Sequence, residues 1–148
     1  MNILIINGPN INFLGTREPS IYGNESYSDL VKYLYDYSKK NNHYLEIFQS
    51  NHEGEIIDLI QKNHQRFQAL IINPAAYTHY SYAIYDCLLS IRMRKVEVHL
   101  SDIYKREEFR KISVISPACE KQFYGKGFLS YIEAIDYLCE EEKLWLLN

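Results

Sequence analysis

Three short stretches of the sequence bring together amide, imidazole, carboxylate and guanidinium side chains. The first begins at the end of a mostly apolar run at 2–7, the second at the end of one at 69–73, and the third within a predicted strand at 95–100. Such side chains hydrogen-bond polar ligands, and histidine also exchanges protons near neutral pH. We therefore expect a site for a small polar molecule. Its candidates are Asn7, Asn10, Arg17 and Tyr22, then Asn73, Thr78, His79 and Ser81, then Glu97, His99, Ser101, Arg106 and Arg110.

Each stretch taken alone also has a purely structural interpretation. The residues at 7–10 could form only a turn. His99 lies between two apolar residues and could be a hydrogen-bonded core histidine. Arg106 and Arg110 are four residues apart on a predicted helix with two glutamates between them, which is typical of a solvated face. The combination of three stretches is what favours a site.

Several other kinds of site find no support in the sequence. No pair of histidines or cysteines has metal-ligand spacing, so we expect no metal, and no glycine-rich phosphate or dinucleotide motif follows a strand. The net charge of -3 argues against a nucleic-acid binder. No run approaches the ~18 apolar residues of a membrane span, and no secretory signal is recognisable. Three cysteines without a C-x-x-C motif suggest reduced thiols in the cytoplasm.

The elements that must position these residues alternate between strands and helices. The runs at 2–7 and 69–73 are apolar except for asparagines at their ends, as expected for strands buried on both faces of a parallel sheet. Further strands are predicted at 44–48, 95–100 and 122–124, and helices from 27, at 55–66, at about 79–92 and from 129. This order predicts an α/β fold, a flavodoxin-like doubly wound parallel five-stranded sheet with strand order 2-1-3-4-5, in one domain over 1–148. Ligands of such sheets bind beyond the carboxyl ends of the first and third strands.

A long irregular segment separates the first strand from the first helix. It runs from about 8 to 26, and loops of this length in small domains are usually functional. Ser26 with Asp29 predicts a capping box at the helix that follows. We expect the part at about 17–26 to be a lid over the site.

Taken in order, the motifs of the chain closely resemble the signatures of the type II dehydroquinate dehydratases. The resemblance covers nearly the whole chain. The motifs are Asn7–Asn12, Arg17–Pro19, Tyr22–Gly23, Gln49–Asn51, Asn73–Pro74, Thr78–His79, Glu97–Ser101 and Arg106–Arg110.

The resemblance implies a hydro-lyase that converts 3-dehydroquinate to 3-dehydroshikimate and water, by anti elimination through an enolate and without a cofactor. Tyr22 matches the family's base, and Arg17 is the cation that would favour its ionised form, because a free tyrosine has a pKa of about 10. Asn10 matches the residue that stabilises the enolate through an ordered water. His99 matches the acid for the leaving hydroxyl, oriented by Glu97. The pathway would be that of aromatic amino acid biosynthesis.

The resemblance also implies how the substrate is bound. Asn73, His79 and Arg110 match residues that hydrogen-bond ring hydroxyls. The amides of Leu100 and Ser101 match the carboxylate site, and Arg106 matches an arginine that helps to hold the lid.

Assembly follows from the same resemblance. Asp86 matches an acidic residue that each subunit of a family trimer supplies to a neighbour's site. The expected assembly is a cytoplasmic homododecamer, a tetramer of trimers, with no nucleic-acid or membrane partner.

The chain departs from the family pattern at a few positions. Tyr80 replaces a small hydroxyl residue beside the expected pocket, and Lys121 and Ser130 replace glycines. Pro74-Ala75-Ala76 stand where the family often has glycines. A second hypothesis is a flavodoxin-like domain that binds a small ligand and catalyses nothing. The absence of an acidic residue directly after the first strand argues against a receiver domain of that kind.

Overall fold

A computed structural model of the chain describes residues 1–16, 20 and 24–147. Five parallel strands form one sheet in the order β2-β1-β3-β4-β5, which confirms the predicted fold class and strand order. The strands are β1 (Asn2–Asn7), β2 (Tyr44–Gln49), β3 (Ala69–Asn73), β4 (Arg94–His99) and β5 (Gln122–Tyr124). The helices are α1 (Tyr27–Lys40), α2 (Glu53–Asn63), α3 (Tyr82–Leu89) and α4 (Leu129–Leu146).

The interior strand β1, like the rest of the sheet, separates two layers of the apolar core. Ile3 and Ile5 pack with α1 and α4, whereas Leu4 and Ile6 pack with α2 and α3. All four side chains are fully buried. A strand covered on both faces needs an apolar residue at every position, which explains why this segment shows no alternation of polar and apolar residues.

Local hydrogen bonds set the ends of the helices. The predicted capping box is present: Ser26 Oγ accepts from the Asp29 amide at 3.1 Å, and Asp29 Oδ2 accepts from the Ser26 amide at 2.8 Å. The helix predicted at about 79–92 is shorter than expected. Residues Ala75–His79 form a 3-10 helix instead, and Ser81 caps the start of α3 by accepting from the Ile84 amide.

Arg106 and Arg110 do not share a helix, and the interpretation of this segment as one solvated helical face was wrong. The 3-10 helices Ile103–Lys105 and Glu108–Lys111 are separated by extended backbone at Arg106. The break in the helix turns both arginines inward, where their side chains are only 13% and 21% exposed. Among the described residues, no helix is both long and apolar enough to cross a membrane.

Candidate active site

The carboxyl ends of β1, β3 and β4 enclose one side of a cavity of about 150 Å³. Register brings the first two ends together, because Asn7 pairs with Asn73 across β1 and β3. Eight of the site residues expected from the sequence line this cavity. They are Asn10, Asn73, His79, His99, Leu100, Ser101, Arg106 and Arg110.

Three further candidates, Asn7, Thr78 and Ser81, are buried and do not line the cavity. The other four residues to which the resemblance assigns a role have different positions. Glu97 lies behind His99, fully buried. Asp86 is exposed on α3 and does not line the cavity of its own chain. Arg17 and Tyr22 lie outside the described residues.

Glu97 and His99 form a buried acid–base pair in the wall of the cavity. Nε2 of His99 lies 2.6 Å from Oε1 of Glu97, and His99 is only 5% exposed. Because a carboxylate oxygen accepts, Nε2 carries the proton of this bond, and Nδ1 is the ring nitrogen left for a ligand. His99 is therefore both hydrogen-bonded in the core and part of the cavity, so the two interpretations of this residue are compatible.

The Glu97 carboxylate is held in its ionised form by a ring of donors. Thr78 Oγ1 donates to Oε1, Ser113 Oγ lies 2.9 Å from both carboxylate oxygens, and Gln122 Nε2 donates to Oε2 at 3.1 Å. Burial by itself raises the pKa of Glu97, but the hydrogen bonds from His99, Thr78 and Ser113 outweigh it and hold the pKa below its ordinary value. The carboxylate is thus fixed as the acceptor of the His99 hydrogen bond.

His79 and Arg110 stand on another side of the cavity with defined orientations. His79 Nδ1 donates to the carbonyl of Ile112 at 2.8 Å, which leaves Nε2 free for a ligand. Burial, assisted by the neighbouring Arg110, lowers the pKa of His79 despite the opposing hydrogen bond to Ile112, and this shift favours the neutral ring. Arg110 Nε donates to Glu107 at 2.7 Å, which fixes its guanidinium.

The loop after β1 is fixed by β2 and by close contact with the loop after β3. Gln49 Nε2 donates to the Gly8 carbonyl, and the Asn10 amide donates to Asn51 Oδ1 at 3.0 Å. The Gly8 amide donates to the Asn73 carbonyl at 2.7 Å, and a Cβ at Gly8 would stand 2.5 Å from the Pro74 carbonyl oxygen. Asn10 has a φ of 68°, a left-handed conformation that asparagine tolerates better than most residues.

Sequence reasoning missed three residues that support the site and assigned no role to a fourth. Ser113, Gln122 and Tyr131 were not singled out, and Thr78 was noted without a role. Gln122 could have been found from the topology, because β5 next to β4 places it opposite Glu97. Tyr131 carried no such signal, since it is one of 14 tyrosines and falls inside a helix.

Three of the departures from the family pattern lie away from the cavity, whereas Ala75 and Ala76 line it. Tyr80 does not line it, contrary to expectation, because the side chain is 60% exposed and packs edge-on against Tyr77. Lys121 Nζ lies 5.3 Å from the ring centres of both Phe123 and Tyr137. Ser130 Oγ is buried and accepts from the Lys126 amide. None of these three departures therefore lies among the residues that line the cavity.

Comparisons with known proteins agree with this architecture. The family model described as "Dehydroquinase class II" matches residues 1–139. The chain is 56% identical over 137 residues to a 3-dehydroquinate dehydratase of Lachnoclostridium phytofermentans, covering 92% of this chain and 94% of that protein. It is 50% identical over 138 residues to the enzyme of that name from Thermotoga petrophila, covering 93% and 94%. The crystal structure of the type II dehydroquinase of Butyrivibrio crossotus superposes with a TM-score of 0.92 at 54% identity, over 93% and 97% of the two chains.

Proposed function

Because the chain belongs to the class II dehydroquinase family, we propose that it dehydrates 3-dehydroquinate to 3-dehydroshikimate and water in the shikimate pathway. The observation that carries the proposal is the buried Glu97–His99 pair, with one ring nitrogen left for a ligand, in a cavity at the carboxyl ends of β1, β3 and β4. The cavity of about 150 Å³ suits a ring of this size better than a nucleotide.

In the proposed reaction, His99 protonates the leaving hydroxyl. The imidazolium form carries the proton on Nδ1, while Nε2 keeps its bond to Glu97. The ionised carboxylate supports that form electrostatically, and the donors around Glu97 keep it from turning. The hydroxyl leaves with the histidine proton as water, and the electron pair of the enolate forms the new double bond. General acid assistance of this kind contributes about 10²- to 10⁴-fold to turnover.

The base that forms the enolate is assigned to Tyr22, with Arg17 as the cation that favours its ionised form. This assignment is carried by the motif match, since both residues lie outside the described part of the chain. Asn10 lies at the rim of the cavity and would stabilise the enolate oxygen through an ordered water. The segment at about 17–26 would act as a lid that excludes bulk water from the site, and the whole chain would form a single domain.

The remaining cavity residues are assigned to binding. Asn73, His79 and Arg110 present hydrogen-bonding groups for ring hydroxyls, and His79 Nε2 is free to do so. The substrate carboxylate would lie against the backbone amides of Leu100 and Ser101. Arg106 and Arg110 give this end of the cavity a positive charge that suits an anionic substrate.

The active assembly is proposed to be a dodecamer of four trimers in the cytoplasm. Asp86 is exposed and away from its own cavity, as a residue that serves a neighbouring subunit would be. The free thiols Cys87, Cys119 and Cys139 are compatible with a reducing compartment.

The decisive experiment follows product formation. Purified protein incubated with 3-dehydroquinate should produce the ultraviolet absorbance of a conjugated enone. A matched sample of His99→Ala should produce little. The alternative, a flavodoxin-like binding domain without catalysis, predicts binding of the substrate with no absorbance change, and that result would refute the proposal.

A further inference from the structure

A fully buried tyrosine hydroxyl connects the ends of two strands beneath the cavity. Tyr131 lies in the first turn of α4 and is 0% exposed. Its hydroxyl donates to Asn7 Oδ1 at 2.6 Å and accepts from Asn73 Nδ2 at 2.9 Å. Asn7 and Asn73 are register partners at the ends of β1 and β3. The tyrosine thus bridges three elements exactly where the strand order of the sheet reverses.

The hydrogen bonds around Tyr131 have a single arrangement of donors and acceptors. The hydroxyl has a single proton, which goes to Asn7, so it can offer only a lone pair to Asn73. Asn73 must therefore turn its NH₂ group toward Tyr131. Its Oδ1 then faces the other way, where it accepts from the Ala75 amide at 3.1 Å. If the Asn73 amide were flipped, its oxygen would face the lone pair of the Tyr131 hydroxyl and its NH₂ group would face the N–H of Ala75. Neither hydrogen bond could then form.

Burial keeps this arrangement in one protonation state. The apolar surroundings raise the pKa of Tyr131, which outweighs the opposing effect of the Asn73 hydrogen bond, so the hydroxyl retains its proton. Asn73 is only 2% exposed and lines the cavity. With one N–H directed to Tyr131, the second N–H of its amide remains for a ligand.

We propose that Tyr131 is a positioning residue: its hydroxyl, held between Asn7 and Asn73, fixes the Asn73 amide so that an N–H group is offered to a ring hydroxyl of the substrate. The inference rests on the proposed function. Tyr131 itself does not line the cavity. Its effect on the reaction therefore passes through Asn73.

The test compares Tyr131→Phe with a matched variant that removes another hydroxyl bound to α4. Tyr37 on α1 donates its hydroxyl to Asp136 of α4, away from the cavity, so Tyr37→Phe removes a hydroxyl that also anchors α4. A ring hydroxyl binds equally in the ground state and the transition state, so loosening Asn73 should raise KM about tenfold and leave kcat within about threefold. Tyr37→Phe should leave KM unchanged. If the substitution instead loosened the whole fold, a smaller fraction of the enzyme would be active, and the measured kcat would fall.

A double variant tests whether the effect passes through Asn73. Adding Tyr131→Phe to Asn73→Ala should raise KM by less than about twofold over Asn73→Ala alone, because groups that act as a unit are not additive. Additive effects, or an unchanged KM in Tyr131→Phe, would overturn the inference while leaving the proposed function intact. An inactive wild-type protein would overturn the proposed function, and this inference with it.

A second variant keeps the inference testable if Tyr131→Phe does not fold. Asn7→Ala removes the acceptor that directs the Tyr131 proton and leaves both Tyr131 and Asn73 in place. Asn7 does not line the cavity, so a rise in KM with kcat retained supports the positioning role. An unchanged KM in Asn7→Ala would overturn it.

Discussion

Nε2 of His99 and Oε1 of Glu97 lie 2.6 Å apart although the two residues belong to one strand, two positions from each other. Residues at this spacing share a face of a strand, so their side chains lie side by side at the end of β4. The carboxylate stays behind the ring because Thr78, Ser113 and Gln122 bind it from other elements. The two residues of the pair are thus close in sequence, but their orientation depends on residues that are distant in sequence.

Turnover should depend on both members of this pair. His99→Ala should lower kcat by about 10²- to 10⁴-fold while the fold is retained. Glu97→Gln should also lower kcat strongly. It replaces a carboxylate oxygen by an NH₂ group, which cannot accept a hydrogen bond from the surrounding donors and so cannot keep the proton of His99 on Nε2. Steady-state kinetics with circular dichroism as the folding control measures both. Near-normal turnover in His99→Ala would exclude it as the acid.

Acid should destabilise the protein partly through Glu97. Its pKa is lowered from the ordinary 4.5 in the folded state, so the carboxylate stabilises the fold at higher pH. This stabilisation begins to be lost as the pH falls below about 4.5, and it is gone once the pH lies below the lowered pKa of Glu97 in the folded state. Glu97→Gln should therefore show a smaller fall in Tm between pH 7 and about pH 3 than the wild type does. Parallel curves for the two proteins would contradict this.

Tyr22 and Arg17 should act on one proton transfer. Tyr22→Phe removes only the ionisable oxygen, so turnover should collapse while a substrate analogue still binds. Arg17→Ala should lose turnover at neutral pH and partly recover as the pH rises, because the tyrosinate becomes more abundant. The double variant should be little worse than Tyr22→Phe alone. Turnover against pH for the three variants is the measurement, and additive losses would mean that another residue is the base.

Gly8 should tolerate no side chain. Its Cβ would stand 2.5 Å from the Pro74 carbonyl oxygen and 2.6 Å from the Pro74 carbonyl carbon, both backbone atoms. Gly8→Ala should therefore cost about 1–3 kcal/mol of unfolding free energy and lower activity, because it separates two loops that line the cavity. The control is Gly54→Ala on α2, where a Cβ meets nothing within 4 Å and stability should rise by about 0.5–1 kcal/mol. Equal thermal midpoints for the two variants would contradict the packing argument.

Assembly and the role of Asp86 can be tested by complementation. Light scattering should give the mass of a dodecamer. Asp86→Ala and His99→Ala should each be impaired, but subunits of the two variants reassembled together should regain activity at about a quarter of the sites, where an intact His99 meets a neighbour's Asp86. A mixture of His99→Ala with Glu97→Ala is the control and should regain none, because these residues act in one subunit. No recovery in the first mixture would exclude a shared site.

The sequence by itself determined the order of the elements and the composition of the site. The runs at 2–7 and 69–73, apolar except for asparagines at their ends, predicted strands buried on both faces, and alternation with helices then led to the observed strand order. The motifs and their resemblance to one family were enough to name eight of the thirteen residues that line the cavity.

Tertiary structure decided which side chains orient that site. Arg106 and Arg110 turn inward because extended backbone interrupts the expected helix, and Tyr80 turns outward against Tyr77. Gln122 and Tyr131 reach Glu97 and Asn73 from elements 25 and 58 residues away along the chain. Hydrophobic periodicity reports which face of an element is buried. It carries no information about which buried polar groups meet, since that depends on the register between strands and the packing of helices across the sheet.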